Sequence, residues 1–187
     1  MYARGIHATT LDDVREASGT SKSQLYRNFD SKDDLVMSVV ALQSKATIVR
    51  EAARLGSLNS FEGLVTWRDA IVQANDAQGS AHGCALSSMA NELSAENDAA
   101  RSALSVTFSE WEGLISDVLV RMQENGTLSD DAAPAAFATG LMAALQGGYL
   151  MAQTTRDVGP LEIALDMALS HIKTFLIVQD LPLSSTN

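Results

Sequence analysis

Lys22, Ser23, Gln24, Tyr26, Arg27 and Asn28 crowd hydrogen-bonding side chains into two helical turns, with no carboxylate among them. A solvated helix face mixes in acidic residues. A surface that fits against phosphate oxygens and base edges does not. Residues 9–35, TTLDDVREASGTSKSQLYRNFDSKDDL, frame this cluster as two short helices about a glycine turn, followed at once by a third. Other chemistry is poorly served. His82 and Cys84 put a base near a thiol, but His7 and His171 are isolated and no motif supplies an Asp or Asn partner, so the chain is not expected to be an enzyme. A lone cysteine is ordinarily a small buried hydrophobe. No pair of ligands has metal-site spacing, and no cofactor is expected.

The elements that position the cluster are legible from caps and periodicity. Thr9 or Thr10 caps the first helix, with Asp12 or Asp13 at its third position; Ser21 and Gln24 repeat the capping-box spacing, as do Ser31 and Asp34. Gly19 supplies the turn. Val14, Ala17, Leu25, Tyr26, Phe29 and Leu35 are the candidate core beneath. The third helix is expected over 32–54, with Leu35, Val39, Leu42, Ala46 and Val49 on one face. After a break at 56–59, another helix carries Phe61, Leu64, Val65, Ile71 and Val72, and DAQGSAHG at 76–83 reads as a loop. A short helix over 86–93 and a long one over 98–124 follow, the latter burying Ala100, Leu104, Phe108, Trp111, Ile115, Val118 and Met122 and stopped by Asn125-Gly126. A small-residue-rich helix is expected over 131–155, with Pro134 in its first turn, and a last helix over 160–178, with Leu161, Leu165, Ala168, Ile172, Phe175 and Leu176 in a stripe. The tail LPLSSTN should fray. No strand pattern or repeat is visible, so the fold class is all-α.

Hydrophobic residues make up 46% of the 187, and Pro only 3 residues, which fits an ordered helical globule. No run approaches a membrane span, no signal peptide opens the chain, and the single Cys84 forms no internal disulfide, so a cytoplasmic protein is expected. The net charge of −10 is unevenly placed: residues 1–45 hold six basic and six acidic residues, and the rest holds 7 basic and 17 acidic ones. An acidic bulk would repel nucleic acid everywhere except at the neutral N-terminal module, and serves solubility equally well.

Gly5, Thr9-Thr10, Val14, Ala17, Gly19, Ser21-Lys22, Leu25-Tyr26, Phe29, Ser31-Lys32 and Asp34-Leu35, in ungapped order, resemble the tetracycline-repressor (TetR) family of bacterial transcription regulators. Gly83-Cys84-Ala85-Leu86 with Glu92-Leu93 looks like one subgroup of that family's regulatory domains. The resemblance implies an N-terminal helix-turn-helix DNA-binding domain over 1–45 and a C-terminal helical domain over 46–187 for ligand binding and dimerisation. Three features depart from the family pattern. The family has a helix before the motif, and Met1-Tyr2-Ala3 begin where that helix should be ending. Arg15 stands where the family usually has a small residue packed between the two helices, and must turn outward or tilt the pair. Asp12 repels phosphate unless it only caps its helix.

By the resemblance, the second helix lies in the major groove of a palindromic double-stranded DNA operator. Gln24 would then pair with adenine, Arg27 or Lys22 with guanine, and Asn28 with a base edge less strongly. Tyr26 and Ser23 would bond phosphates, as would Thr10 and Lys32 at helix N-termini. The plainer reading is that Ser21, Gln24 and Ser31 only cap helices and Tyr26 only fills core. A homodimer through the last two helices is expected, their alanines and glycines permitting close approach. Trp67, Met89, Phe108, Trp111, Met142, Gln146 and Tyr149 are the candidate ligand pocket, although Met and Trp at helical spacing are commonly plain core. The function implied is a ligand-responsive DNA-binding regulator, a repressor released by a small, largely apolar effector. The alternative is a helical ligand-binding or protein-interaction dimer that has lost DNA binding.

Overall fold

A computed structural model of the chain describes residues 5–80 and 82–177. The expectations for Met1–Ala3 and for the tail at 181–187 lie outside these residues. Eight helices are described: α1 Leu11–Ser18, α2 Lys22–Asn28, α3 Lys32–Leu55, α4 Phe61–Asp76, α5 Ala85–Leu93, α6 Asp98–Glu124, α7 Pro134–Thr155 and α8 Gly159–Lys173. There is no strand among the described residues, only one antiparallel bridge between Leu128 and Leu176.

The N-terminal module is punctuated by its own side chains. Thr10 and Asp13 form a reciprocal capping box on α1. Gly19 ends that helix at φ 67, a left-handed conformation that suits glycine. Ser21 and Gln24 form a second box on α2: the Ser21 amide donates to Gln24 Oε1 at 2.9 Å and the Gln24 amide to Ser21 Oγ at 3.2 Å. Ser31 caps α3 by accepting from the Asp34 amide at 3.1 Å, but the Asp34 carboxylate takes the Asp30 amide rather than closing the box. Leu25 and Leu35 are buried here, with Val14 and Phe29 half-buried. Ala17 and Tyr26 are exposed, so neither belongs to the module's core. Arg15 does turn outward, donating to Asp12 at 3.2 Å.

α3 leaves this module without a break and enters the larger helical body. Its buried face is Leu35, Val36, Val40, Thr47, Glu51 and Leu55. This corrects the expected face: Leu42 and Val49 are 65% and 60% exposed. Periodicity misled because the inward face carries two polar residues that tertiary partners satisfy. Arg121 of α6 anchors the end of α3, donating to the carbonyls of Leu55 and Leu58.

α6 runs through the core, burying Ala100, Leu104, Thr107, Trp111, Ile115, Val118, Leu119 and Met122, with Phe108 only half-buried. α7 and α8 pack tightly where Gly148 meets Leu161; a Cβ on Gly148 would stand 2.9 Å from the Leu161 Cα. Burying each such aliphatic side chain stabilises the fold by about 1.5–3 kcal/mol. α7 begins at Pro134, three residues later than expected, because the proline occupies the first turn. α8 ends at Lys173, short of the expected 178. There the chain leaves the helix to pair with the strip after α6: the Ser129 amide donates to the Phe175 carbonyl and the Ile177 amide to the Thr127 carbonyl. Counter to the sequence expectation, α7 is long and apolar enough by composition to cross a membrane. Here, however, Ala138, Leu141, Met142, Leu145, Gly148 and Ala152 are buried within the bundle.

Candidate nucleic-acid interface and internal cavity

On α2 only Leu25 is buried. Lys22, Ser23, Gln24, Tyr26, Arg27 and Asn28 all face solvent, as expected of a surface that must meet a ligand. Among the described residues neither Lys22 nor Arg27 is held in an ion pair; the Lys22 ammonium lies 5.8 Å from the Tyr26 ring centroid. Tyr26 is 49% exposed, so its ring is presented outward with the two cations. Gln24 has its carbonyl committed to the Ser21 amide, which leaves its amide group to donate. The Thr10 hydroxyl is engaged with Asp13, and Lys32 donates to the His7 carbonyl at 3.2 Å. Asp12, which pairs with Arg15, is not the capping residue.

The segment leading into α1 is fastened to the larger body by a carboxylate that sequence reasoning did not single out for this task. Glu92 of α5 accepts from the amides of Ile6 at 2.6 Å and His7 at 3.1 Å, while the His7 ring lies 3.0 Å from the Glu92 carbonyl. Ile6 itself is buried in the common core.

A cavity of about 500 Å³ opens between α3, α4, the loop before α5, α6 and α7. Of the expected pocket residues, Trp111 and Tyr149 line it. Gln146 and Tyr149 line a neighbouring cavity of about 240 Å³, which shares Gly83 and Cys84 with the first. Trp67, Met89 and Met142 are buried in the core, and Phe108 packs against it; none of these lines either cavity. α3 contributes Gln43, Thr47, Arg50 and Arg54, and α4 contributes Asn75, none of which sequence reasoning proposed. These residues lie on helices distant in sequence, and arginine is not a signal for an apolar pocket.

The polar chemistry of the larger cavity is organised by Glu51, whose side chain is 1% exposed. It accepts from Arg50 at 2.8 Å, from Arg54 at 3.2 Å and from the Trp67 indole at 3.1 Å. Burial holds the Tyr149 phenol well above its ordinary value, so its hydroxyl remains a donor throughout the neutral range. Two buried polar atoms on residues of the lining, Trp111 Nε1 and Asn75 Oδ1, find no hydrogen-bond partner among the described residues and are occluded from the cavity space. Leaving such an atom unpaired costs about 1–3 kcal/mol. Cys84 is a free, half-buried thiol at the start of α5, at the rim of both cavities.

A third concavity, about 550 Å³ and apolar, lies between α7 and α8 and is lined by Ala136, Gly140, Ala144, Ala164 and Met167 among others. Ile163 and Met167 stand exposed beside it, and a Cβ on Gly140 or Gly147 would meet nothing.

Comparison with known proteins bears on both ends of the chain. A family model described as "Bacterial regulatory proteins, tetR family" matches residues 1–39. One described as "Transcriptional regulator LmrA/YxaF-like, C-terminal domain" matches residues 60–167. The chain is 27% identical to an uncharacterised HTH-type transcriptional regulator of Lactococcus lactis, over 89% of this chain and 84% of the relative. It is also 27% identical to the HTH-type transcriptional repressor DhaR of Mycobacterium sp. strain GP1, over 85% of this chain and 79% of the relative. The fold matches a crystal structure of a regulatory protein TetR from Rhodobacter sphaeroides with a TM-score of 0.80 at 21% identity, covering 94% of this chain and 92% of that one. It also matches the TetR-family transcriptional regulator CifR, whose cysteine mutant is described as complexed with 26-bp double-strand operator DNA, with a TM-score of 0.76 at 24% identity over 90% of this chain and 89% of that one.

Proposed function

The chain belongs to the TetR family of bacterial transcription regulators, and from that premise we propose that it is a cytoplasmic, dimeric repressor that leaves its operator when a small effector enters the cavity between α3 and α7. The observation that carries this reading is the continuity of α3. It starts three residues after α2 and, unbroken to Leu55, supplies four residues to the cavity wall. At about 1.5 Å per residue, Thr47 lies about 22 Å along the helix from Lys32. A tilt of α3 forced at the cavity is therefore amplified at α2. Each α2 presents Lys22, Gln24, Arg27 and Asn28 to a major groove, with Ser23, Tyr26, Thr10 and Lys32 bonding the backbone. Two copies must match half-sites about 34–36 Å apart, so a small change in spacing releases both. The effector acts only if it binds the released state more tightly. Ile71, Ala74 and Trp111 give one wall of the cavity an apolar surface, which supports a largely apolar body for the effector. Pairing of two copies across the α7–α8 groove is supported by its open apolar face and by the small residues there.

The alternative, a helical ligand-binding or protein-interaction dimer without DNA binding, drew on the expected lack of most of the first helix, which lies outside the described residues, and on Asp12 and Arg15. Those charges neutralise one another at 3.2 Å, which weakens that argument. Mobility shifts on the region upstream of the chain's own gene test the proposal. Gln24→Ala should relax base preference, while Lys32→Ala should weaken all sequences alike and flatten the salt dependence. Binding indifferent to both changes would remove the assigned groove contacts.

A further inference from the structure

We infer that the effector is an amphipathic organic monoanion whose carboxylate sits between Arg50 and Arg54, with its apolar or aromatic body beside Trp111. This deepens the proposal that the cavity is an effector site, and rests on it. The first observation is charge. The chain carries a net −10, yet the residues lining this cavity include two arginines and no carboxylate. Among the described residues, Glu51 is the one carboxylate paired with either arginine, and it serves both. One positive charge is left uncompensated at the cavity. A monoanion neutralises it, whereas a dianionic phosphate would leave a negative charge over.

The second observation is independent of charge. The lining also carries an apolar wall of Ile71, Ala74 and Trp111, with the Tyr149 phenol, kept protonated by burial, as a further donor. A purely apolar ligand would leave the guanidinium charge without a partner, and a purely ionic one would leave that wall uncovered. An amphipathic carboxylate meets both. The planar guanidinium forks belong to side chains 50% and 33% exposed at Arg50 and Arg54, whereas Trp111 is 2% exposed. The anionic end would then face outward and the apolar body inward.

The test is a thermal-shift titration of the full chain with benzoate, para-hydroxybenzoate, phenylacetate and cinnamate, each beside its primary amide. The acids should raise the melting temperature, and the amides should bind roughly ten- to hundredfold more weakly, the size of a charge-assisted hydrogen bond. Arg50→Gln and Arg54→Gln should each erase the preference for acid, Arg50→Lys should restore part of it, and Arg101→Gln, on the exposed start of α6, should leave it unchanged. Because the Gln variants strip a partner from Glu51 and can unfold, wild-type chain supplies a second measurement. Acid affinity should fall with added salt while amide affinity does not. Amides binding as tightly as acids, an acid affinity indifferent to salt, or no acid of the set binding would each overturn the inference. Operator release, read by mobility shift on the same samples, separates the two proposals. Acids that bind yet leave the DNA bound refute effector-driven release alone, and amides that bind and release DNA refute only the anion.

Discussion

Replacing Glu51 by alanine removes the acceptor that joins α3 to α4 and holds both cavity arginines. The lost contacts are those to Arg50 at 2.8 Å, Arg54 at 3.2 Å and the Trp67 indole at 3.1 Å. Breaking a fully buried ion pair costs about 3–5 kcal/mol. Here that figure must be reduced, because Arg50 and Arg54 are 50% and 33% exposed and water can take over their hydration. The Trp67 donor has no such recourse at 2% exposure and costs about 1–3 kcal/mol when orphaned. The expected total is about 2–4 kcal/mol. For a chain of this size each kcal/mol shifts the melting temperature by about 2–4 °C, so the midpoint should fall by roughly 4–16 °C. Glu51→Gln keeps an oxygen for Trp67 and should lose about 1 kcal/mol less than alanine. The assay is denaturation followed by circular dichroism at one fixed protein concentration, since pairing of the kind proposed would make the midpoint concentration-dependent. An alanine variant within about 1 kcal/mol of wild type, or a glutamine variant less stable than alanine, would refute this account of Glu51.

Glu92→Ala should free the segment before α1: hydrogen exchange at the Ile6 and His7 amides should rise by roughly fivefold, a figure kept small because this contact is partly exposed. Unchanged protection would mean that Ile6 burial alone holds the segment. Tyr149 should give stability a falling slope above pH 10. Burial raises its folded-state value, so the native state keeps a proton that the unfolded chain sheds from its ordinary value of 10 upward. Tyr149→Phe should remove that part of the slope, measured by denaturant titration across the range. Met167, 70% exposed at the α7–α8 groove, tests the proposed pairing: if two copies meet there, Met167→Glu buries an unpaired charge in the interface, and light scattering should report a monomer. A dimer that persists would move the interface elsewhere.

The N-terminal module was legible because its determinants are local. Thr10 with Asp13, Ser21 with Gln24, and Gly19 in its turn act within a few residues, and the helix boundaries followed from them. The outward set on α2 was legible for the same reason, since one buried Leu25 orients all the others. What failed were inferences needing a partner far along the chain. Leu42 and Val49 were placed inward although the core face of α3 runs through Thr47 and Glu51. Hydrophobicity cannot reveal that an acid is buried when Trp67, 16 residues on, supplies a hydrogen bond to it. Phe175 and Leu176 looked like helix, but their backbone pairs with 127–129.

By itself the sequence determined a helical regulator with a polar second helix turned outward, because caps, turns and an unbroken polar face are written in neighbouring residues. Only the tertiary structure decided which side chains line the cavity. Residues from α3, α4, α6 and α7 become neighbours there through packing alone, and two arginines flanking one buried carboxylate acquire meaning only when that packing brings Trp111, Asn75 and Tyr149 to the same wall.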